Sequence, residues 1–137
     1  QAATRDDAIR ELATCVQAAG FVDDADKLVH AAIERENILG TAMEHGLAFP
    51  HVRGVEGGGL TLAMGTSAKG IPFDNEHVSS IICFFLIPTA VSAFYLRLMA
   101  GLTESFLKAQ NRTALMAAAT PEQLWKALTK ATRYTVK

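Results

Sequence analysis

The chain has 137 residues, one domain's worth, since domains cluster near about 100–150 residues. Hydrophobic residues make up 50% and charged residues 20%, which supports a buried core and excludes a disordered tail or a collagen-like fibre. Lys and Arg total 13 against 14 Asp and Glu, a formal net charge of -1, so there is no global attraction to nucleic acid or acidic lipid.

The spacing of Ile9, Leu12, Cys15 and Val16 predicts a helix over residues 6–19, with Asp6 and Asp7 at the dipole-favoured end and Gly20 as its stop. A second helix is predicted over 24–36, with Leu28, Val29, Ala32 and Ile33 as its apolar face and Asp23 or Asp24 as its cap. The period then changes. Leu47, Ala48 and Phe49 form a short strand candidate running into Pro50, and Gly57, Gly58 and Gly59 mark a turn. Leu60, Leu62 and Met64 alternate as in a half-buried strand. Gly70, Ile71 and Pro72 read as another turn, and the unbroken apolar run within 78–86 reads as a strand covered on both faces. Helical spacing returns from Ser92, with Tyr95, Leu98, Met99, Leu102 and Phe106 on one face, followed by a short Ala-rich helix over 111–119. Thr120 and Pro121 open a last helix whose Leu124, Trp125 and Leu128 are expected to face the core. Helices flanking a strand-rich middle predict an α/β fold, a helix-covered mixed β-sheet sandwich in a single domain spanning 1–137.

The two cysteines, Cys15 and Cys83, lie in apolar stretches and form no C-x-x-C pair. A structural zinc site takes about four ligands, so no metal is expected, and both thiols are expected to be buried and reduced, as in a cytoplasmic protein. The longest apolar run, 81–87, falls far short of the ~20 residues of a membrane span. The polar first residues do not read as a signal peptide. The chain begins with Gln rather than Met and is expected to be a piece excised or processed from a longer protein.

Of the four histidines, His30 is expected to decorate a helix face, His77 to lie in a loop, and no pair has the spacing of a helical zinc site. His51 differs, because a strand candidate delivers it to an edge and Pro50 fixes the backbone just before it. In extended backbone Arg53 falls on the same side. A neutral imidazole is a nucleophile near neutral pH, and a guanidinium stabilises transferred phosphoryl oxygens. The plain alternative is a solvated turn histidine. Arg35 likewise reads either as half of a surface ion pair with Glu36 or as a phosphate clamp returning to the histidine. No Ser or Cys nucleophile with a matching base stands out, which argues against a hydrolase.

The run from Ala32 through Arg53 resembles the signature of type-2 enzyme IIA domains of the bacterial phosphotransferase system, the fructose, mannitol and nitrogen-regulatory branch. Arg35, Glu36, Thr41, Gly46, Ala48, Pro50, His51 and Arg53 fall in register with it. The Gly70-Ile71-Pro72-Phe73 segment, the strand ending at Pro88 and the Thr120-Pro121-Glu122-Gln123-Leu124 helix start also resemble the family. The resemblance implies a cytoplasmic phosphotransferase domain in which His51 accepts a phosphoryl group from a histidine-containing phosphocarrier protein. The group then passes to a IIB domain, or serves a regulatory target in the nitrogen branch. It further implies Arg35 beside the phosphohistidine, Thr41 on the adjacent loop, and no cofactor or metal. Transfer between imidazoles needs in-line positioning and charge neutralisation, which Arg35 and Arg53 can supply, and an exposed, partly apolar rim for the partner. Phe49, Val52, Phe73 and Phe94 are the rim candidates. Where many family members carry a second histidine, this chain has Tyr95, whose hydroxyl donates a hydrogen bond but carries no positive charge. That departure keeps a second reading open: a divergent, non-catalytic regulatory or sensor module of the same fold, attached to a membrane transporter or a regulatory protein.

Overall fold

The computed structural model describes residues 2–55, 60–88 and 92–133. The chain divides into two compact units, 1–90 and 91–137. The first begins with helix α1 (Arg5–Ala18). Its cap is Thr4, whose hydroxyl accepts from Asp7 N at 3.1 Å, so the helix starts one residue earlier than expected. Gly20 ends it at φ +88°, a conformation glycine adopts without penalty. Helix α2 (Ala25–Ile38) is capped by Asp24, which accepts from Lys27 N at 3.2 Å. The buried stripes of these helices, Ile9, Leu12, Ala13 and Val16 on one and Leu28, Val29 and Ala32 on the other, join Ala48, Ile71, Phe73, Ile82, Phe84 and Leu86 in one core.

Those last residues mark one face of a mixed sheet. Its strands are β1 (Ala42–Met43), β2 (Leu47–Ala48), β3 (His51–Val55), β4 (Thr61–Pro72) and β5 (Val78–Pro88). Strand β5 is central, with β2 and β3 parallel to it along one edge and β4 antiparallel along the other, while β1 pairs antiparallel with β2. β2 and β3 keep a single register: Leu47 lies opposite Ile81 and His51 opposite Phe85. Phe49 and Pro50 interrupt them because proline has no N–H for a ladder, yet the Pro50 carbonyl still accepts from Phe85 N at 3.0 Å. Every residue from Ile81 to Pro88 is buried, as expected of a strand covered on both faces.

The segment expected to turn at 70–72 is instead the end of β4. The β4–β5 register shifts between Thr66 and Ile71, and the positive φ of Gly70 (+79°) serves this bulge rather than a reversal. The chain reverses at 73–77, where Phe73 N donates to His77 O at 3.0 Å and Asp74 Oδ1 accepts from Glu76 N and His77 N. The turn expected at Gly57, Gly58 and Gly59 lies outside the described residues.

The second unit contains α3 (Ser92–Phe106), α4 (Ala109–Ala117) and α5 (Pro121–Ala131). Tyr95, Leu102, Phe106, Leu115 and Leu128 are buried. The Ser105 hydroxyl donates to Ala131 O at 2.8 Å and Asn111 Nδ2 donates to Ser105 O at 2.8 Å, tying the three helices together. Thr120 caps α5 by accepting from Gln123 N at 3.2 Å. Trp125, expected in the core, is 64% exposed. The buried side of α5 runs through Leu124, Ala127, Leu128 and Ala131, and at about 100° per residue Trp125 falls outside that stripe. Cys83 is buried as expected, whereas Cys15 lies exposed on α1. Among the described residues no helix is long and apolar enough to cross a membrane.

Candidate functional site

His51 opens β3, an edge strand with β5 as its neighbour among the described strands. Strand alternation sends Val52 toward α1 and α2 and puts His51 and Arg53 on the other face of the sheet. The His51 Nδ1 atom lies 3.1 Å from the Phe49 carbonyl oxygen. A carbonyl only accepts, so Nδ1 carries the proton and the lone pair resides on Nε2. The Phe49 ring in turn stacks on Phe85, with centroids 6.4 Å apart, and Phe85 is the residue opposite His51 in the ladder.

The turn after α2 is held from two sides. Arg35 Nη1 donates to the Leu39 carbonyl at 2.9 Å. The Glu36 carboxylate accepts from Thr41 N at 2.6 Å and from the Thr41 hydroxyl at 2.7 Å. Thr41 O then accepts from Phe49 N at 3.4 Å, joining this turn to the strand that carries the imidazole. Arg35 and Glu36 are therefore not a surface ion pair: Glu36 is only 4% exposed and its oxygens serve Thr41. A Cβ on Gly40 would meet Glu36 Oε2 at 3.6 Å and Asp74 Oδ2 at 3.7 Å, ordinary van der Waals contact, so both carboxylates lie beside this backbone without the position requiring glycine.

The His51 pKa lies below its ordinary 6.5. Burial is the main cause, since it penalises the charged ring. The Phe49 carbonyl opposes this by bonding the Nδ1 proton, the Arg35 and Arg53 guanidiniums press the same way as burial, and Glu36 pulls back. Near neutral pH the imidazole is thus uncharged, with two positive side chains acting on it.

The structure brings Arg35, Arg53 and Glu36 to bear on His51 and links Thr41 to it through Phe49. Tyr95 is buried in α3 of the second unit. The imidazole is neither a solvated turn residue nor presented to solvent: it is 5% exposed and lies within a strand. Two rim candidates are also core. Phe49 and Phe73 are buried by the ring stack and the α1–α2 cluster respectively, while Val52 is half-buried and Phe94, in the second unit, is exposed. His30 is an exposed partner of Glu34 at 3.3 Å, and His77 bonds Asp74 at 2.9 Å in the β4–β5 loop. Glu36 is the residue whose role the sequence concealed. The signal was present in a Glu at the end of a helix followed five residues later by a Thr, but only the fold shows that the intervening turn faces the carboxylate.

Solved structures with this architecture define the class. The fold matches that of the nitrogen regulatory protein IIA-Ntr from Neisseria meningitidis, with TM-score 0.82 and 20% identity over 94% of this chain and 89% of that one. It also matches an Escherichia coli structure described as a complex of enzyme IIAMTL and phosphorylated enzyme IIBMTL, with TM-score 0.74 and 16% identity over 95% and 90% of the two chains. Both likenesses show an enzyme IIA fold of the α/β class. Sequence comparison then gives the family, since residues 1–131 match the model for the phosphoenolpyruvate-dependent sugar phosphotransferase system, EIIA 2. A fructose-specific EIIA component from Haloferax volcanii is 30% identical over 118 residues, 85% of this chain and 77% of that protein. The chain belongs to the EIIA type-2 family of the sugar phosphotransferase system, and the family match spans all of the first unit and the second as far as residue 131.

Proposed function

We propose that the chain is a phosphohistidine carrier: His51 Nε2 takes a phosphoryl group from a histidine-containing phosphocarrier protein and delivers it to a IIB domain. The observation that carries this reading is the bond from Nδ1 to the Phe49 carbonyl, because it leaves Nε2 as the nucleophile. In the forward step the Nε2 lone pair forms the new N–P bond as the donor's N–P bond breaks, and that bond's electron pair returns to the donor imidazole. The Nδ1 proton stays in place, so the product ring is cationic, and the Phe49 carbonyl and Glu36 both favour that charge. Arg35 and Arg53 neutralise the phosphoryl oxygens, while Thr41 supports the site by holding the turn behind it. Delivery to IIB is supported by the structural relative described in complex with a phosphorylated IIB enzyme. Because His51 is 5% exposed, transfer requires that partner docking open a path to Nε2.

That burial, together with Tyr95 in place of a histidine, favours a second reading: a regulatory module that keeps the fold and carries no phosphoryl group, attached to a transporter or regulatory protein. One assay separates the two. Incubation with phosphoenolpyruvate, enzyme I and the phosphocarrier is expected to give an acid-labile phosphate that His51→Ala abolishes. An unlabelled wild-type protein supports the regulatory module, and label that persists in the variant places the carrier residue elsewhere.

A further inference from the structure

Four hydrogen bonds run without a break from the end of α2 to the imidazole. The Glu36 carboxylate holds the Thr41 amide and hydroxyl at 2.6 and 2.7 Å, the Thr41 carbonyl holds the Phe49 amide, and the Phe49 carbonyl holds His51 Nδ1–H. Phe49 is the pivot, because its N–H faces the tether and its C=O faces the ring. Pro50, next in the chain, brings no N–H to compete for these acceptors, and its locked φ fixes the step from Phe49 to His51.

The geometry points to Glu36 as the positioning residue of the phosphoryl site, setting the tautomer and orientation of His51 through Thr41 and Phe49. This rests on the reading of His51 as the carrier, and it assigns Thr41 a part different from that of a phosphate ligand. Its amide and its hydroxyl proton are already committed to the carboxylate, so neither is available to a phosphoryl oxygen. Glu36 is buried while both of its oxygens are engaged, the condition under which a buried carboxylate enforces one arrangement of its neighbours. Outer partners of this kind fix which nitrogen of a histidine reacts.

The test is ¹⁵N NMR of the imidazole in the unphosphorylated protein, which reports the tautomer directly, paired with the rate of phosphoryl transfer from the phosphocarrier. The wild type is expected to show Nδ1–H as the dominant form. In Glu36→Gln the amide oxygen accepts from the Thr41 amide and the NH₂ donates to the Thr41 hydroxyl, so the tautomer is expected to hold. In Glu36→Ala and Thr41→Val the tether is lost or halved. The ring is then expected to move toward a mixture of tautomers, and transfer is expected to slow by about 10–100-fold in Glu36→Ala. A folded Glu36→Ala protein with wild-type tautomer and rate overturns the inference, as does a Gln variant that shifts as far as the Ala variant. If Glu36→Ala does not fold, Thr41→Val decides: an unchanged tautomer ratio overturns the inference and a shift supports it. The tautomer readout needs no phosphoryl donor, so a wild-type protein that takes no phosphate defeats the carrier reading and leaves this measurement to judge Glu36 by itself.

Discussion

A single imidazole in this fold is held neutral by its surroundings, and that has a measurable consequence. Because the folded-state pKa of His51 lies below its ordinary 6.5, the native state binds fewer protons than the unfolded chain as the solution is acidified. The stability associated with the neutral ring is therefore fully present above about pH 6.5 and is lost as pH falls through the lower, folded-state pKa. The NMR titration midpoint of His51 is expected below 6.5, and the melting temperature of the wild type is expected to fall relative to His51→Gln between pH 7.5 and 5.5. A wild type that gains on the variant over that range would contradict the burial argument. Much of this residue's setting was legible in the chain: Pro50 before it, Arg53 two positions on and Arg35 upstream gave the cast of groups. Its burial was not legible, because local sequence shows which residues flank a strand and not what lies above its face.

Elements divide along the same line. Helix ends were readable to within about two residues because caps are local chemistry: Asp24 and Thr120 each bond an amide three residues on. The strand period failed where a glycine was ambiguous. Gly70 marks a bulge inside β4 because its positive φ and the nearby Val78 side chain leave no room for a Cβ. Gly70→Ala is expected to cost about 1–3 kcal/mol in urea unfolding, from left-handed backbone strain plus the collision with Val78 Cγ1. Adding Val78→Ala, at an exposed position, is expected to relieve the collision and leave roughly 1–2 kcal/mol of backbone cost. A Gly70→Ala protein as stable as wild type would contradict a bulge that depends on this glycine. Trp125 teaches the converse lesson: a large apolar residue beside two leucines suggested core, yet helical phase put it outside.

On the scale of the whole molecule, composition and element order were enough to predict a helix-covered mixed sheet, and the Arg35–Arg53 signature was enough to indicate the family. Neither revealed that β2 and β3 act as one interrupted strand, which follows from their shared register on β5. Nor did they reveal the bonds that join α2 to that strand through Thr41 and Phe49, since tertiary contacts of this kind leave only a weak local signature. The proposed carrier function concentrates in one atom. The most direct measurement is ³¹P–¹⁵N NMR of the ¹⁵N-histidine-labelled protein after reaction with phosphoenolpyruvate, enzyme I and the phosphocarrier. A single phosphorus–nitrogen coupling is expected, at Nε2 of His51, with Nδ1 still protonated; a phosphoryl group on Nδ1, on another residue, or on none would contradict His51 Nε2 as the carrier atom.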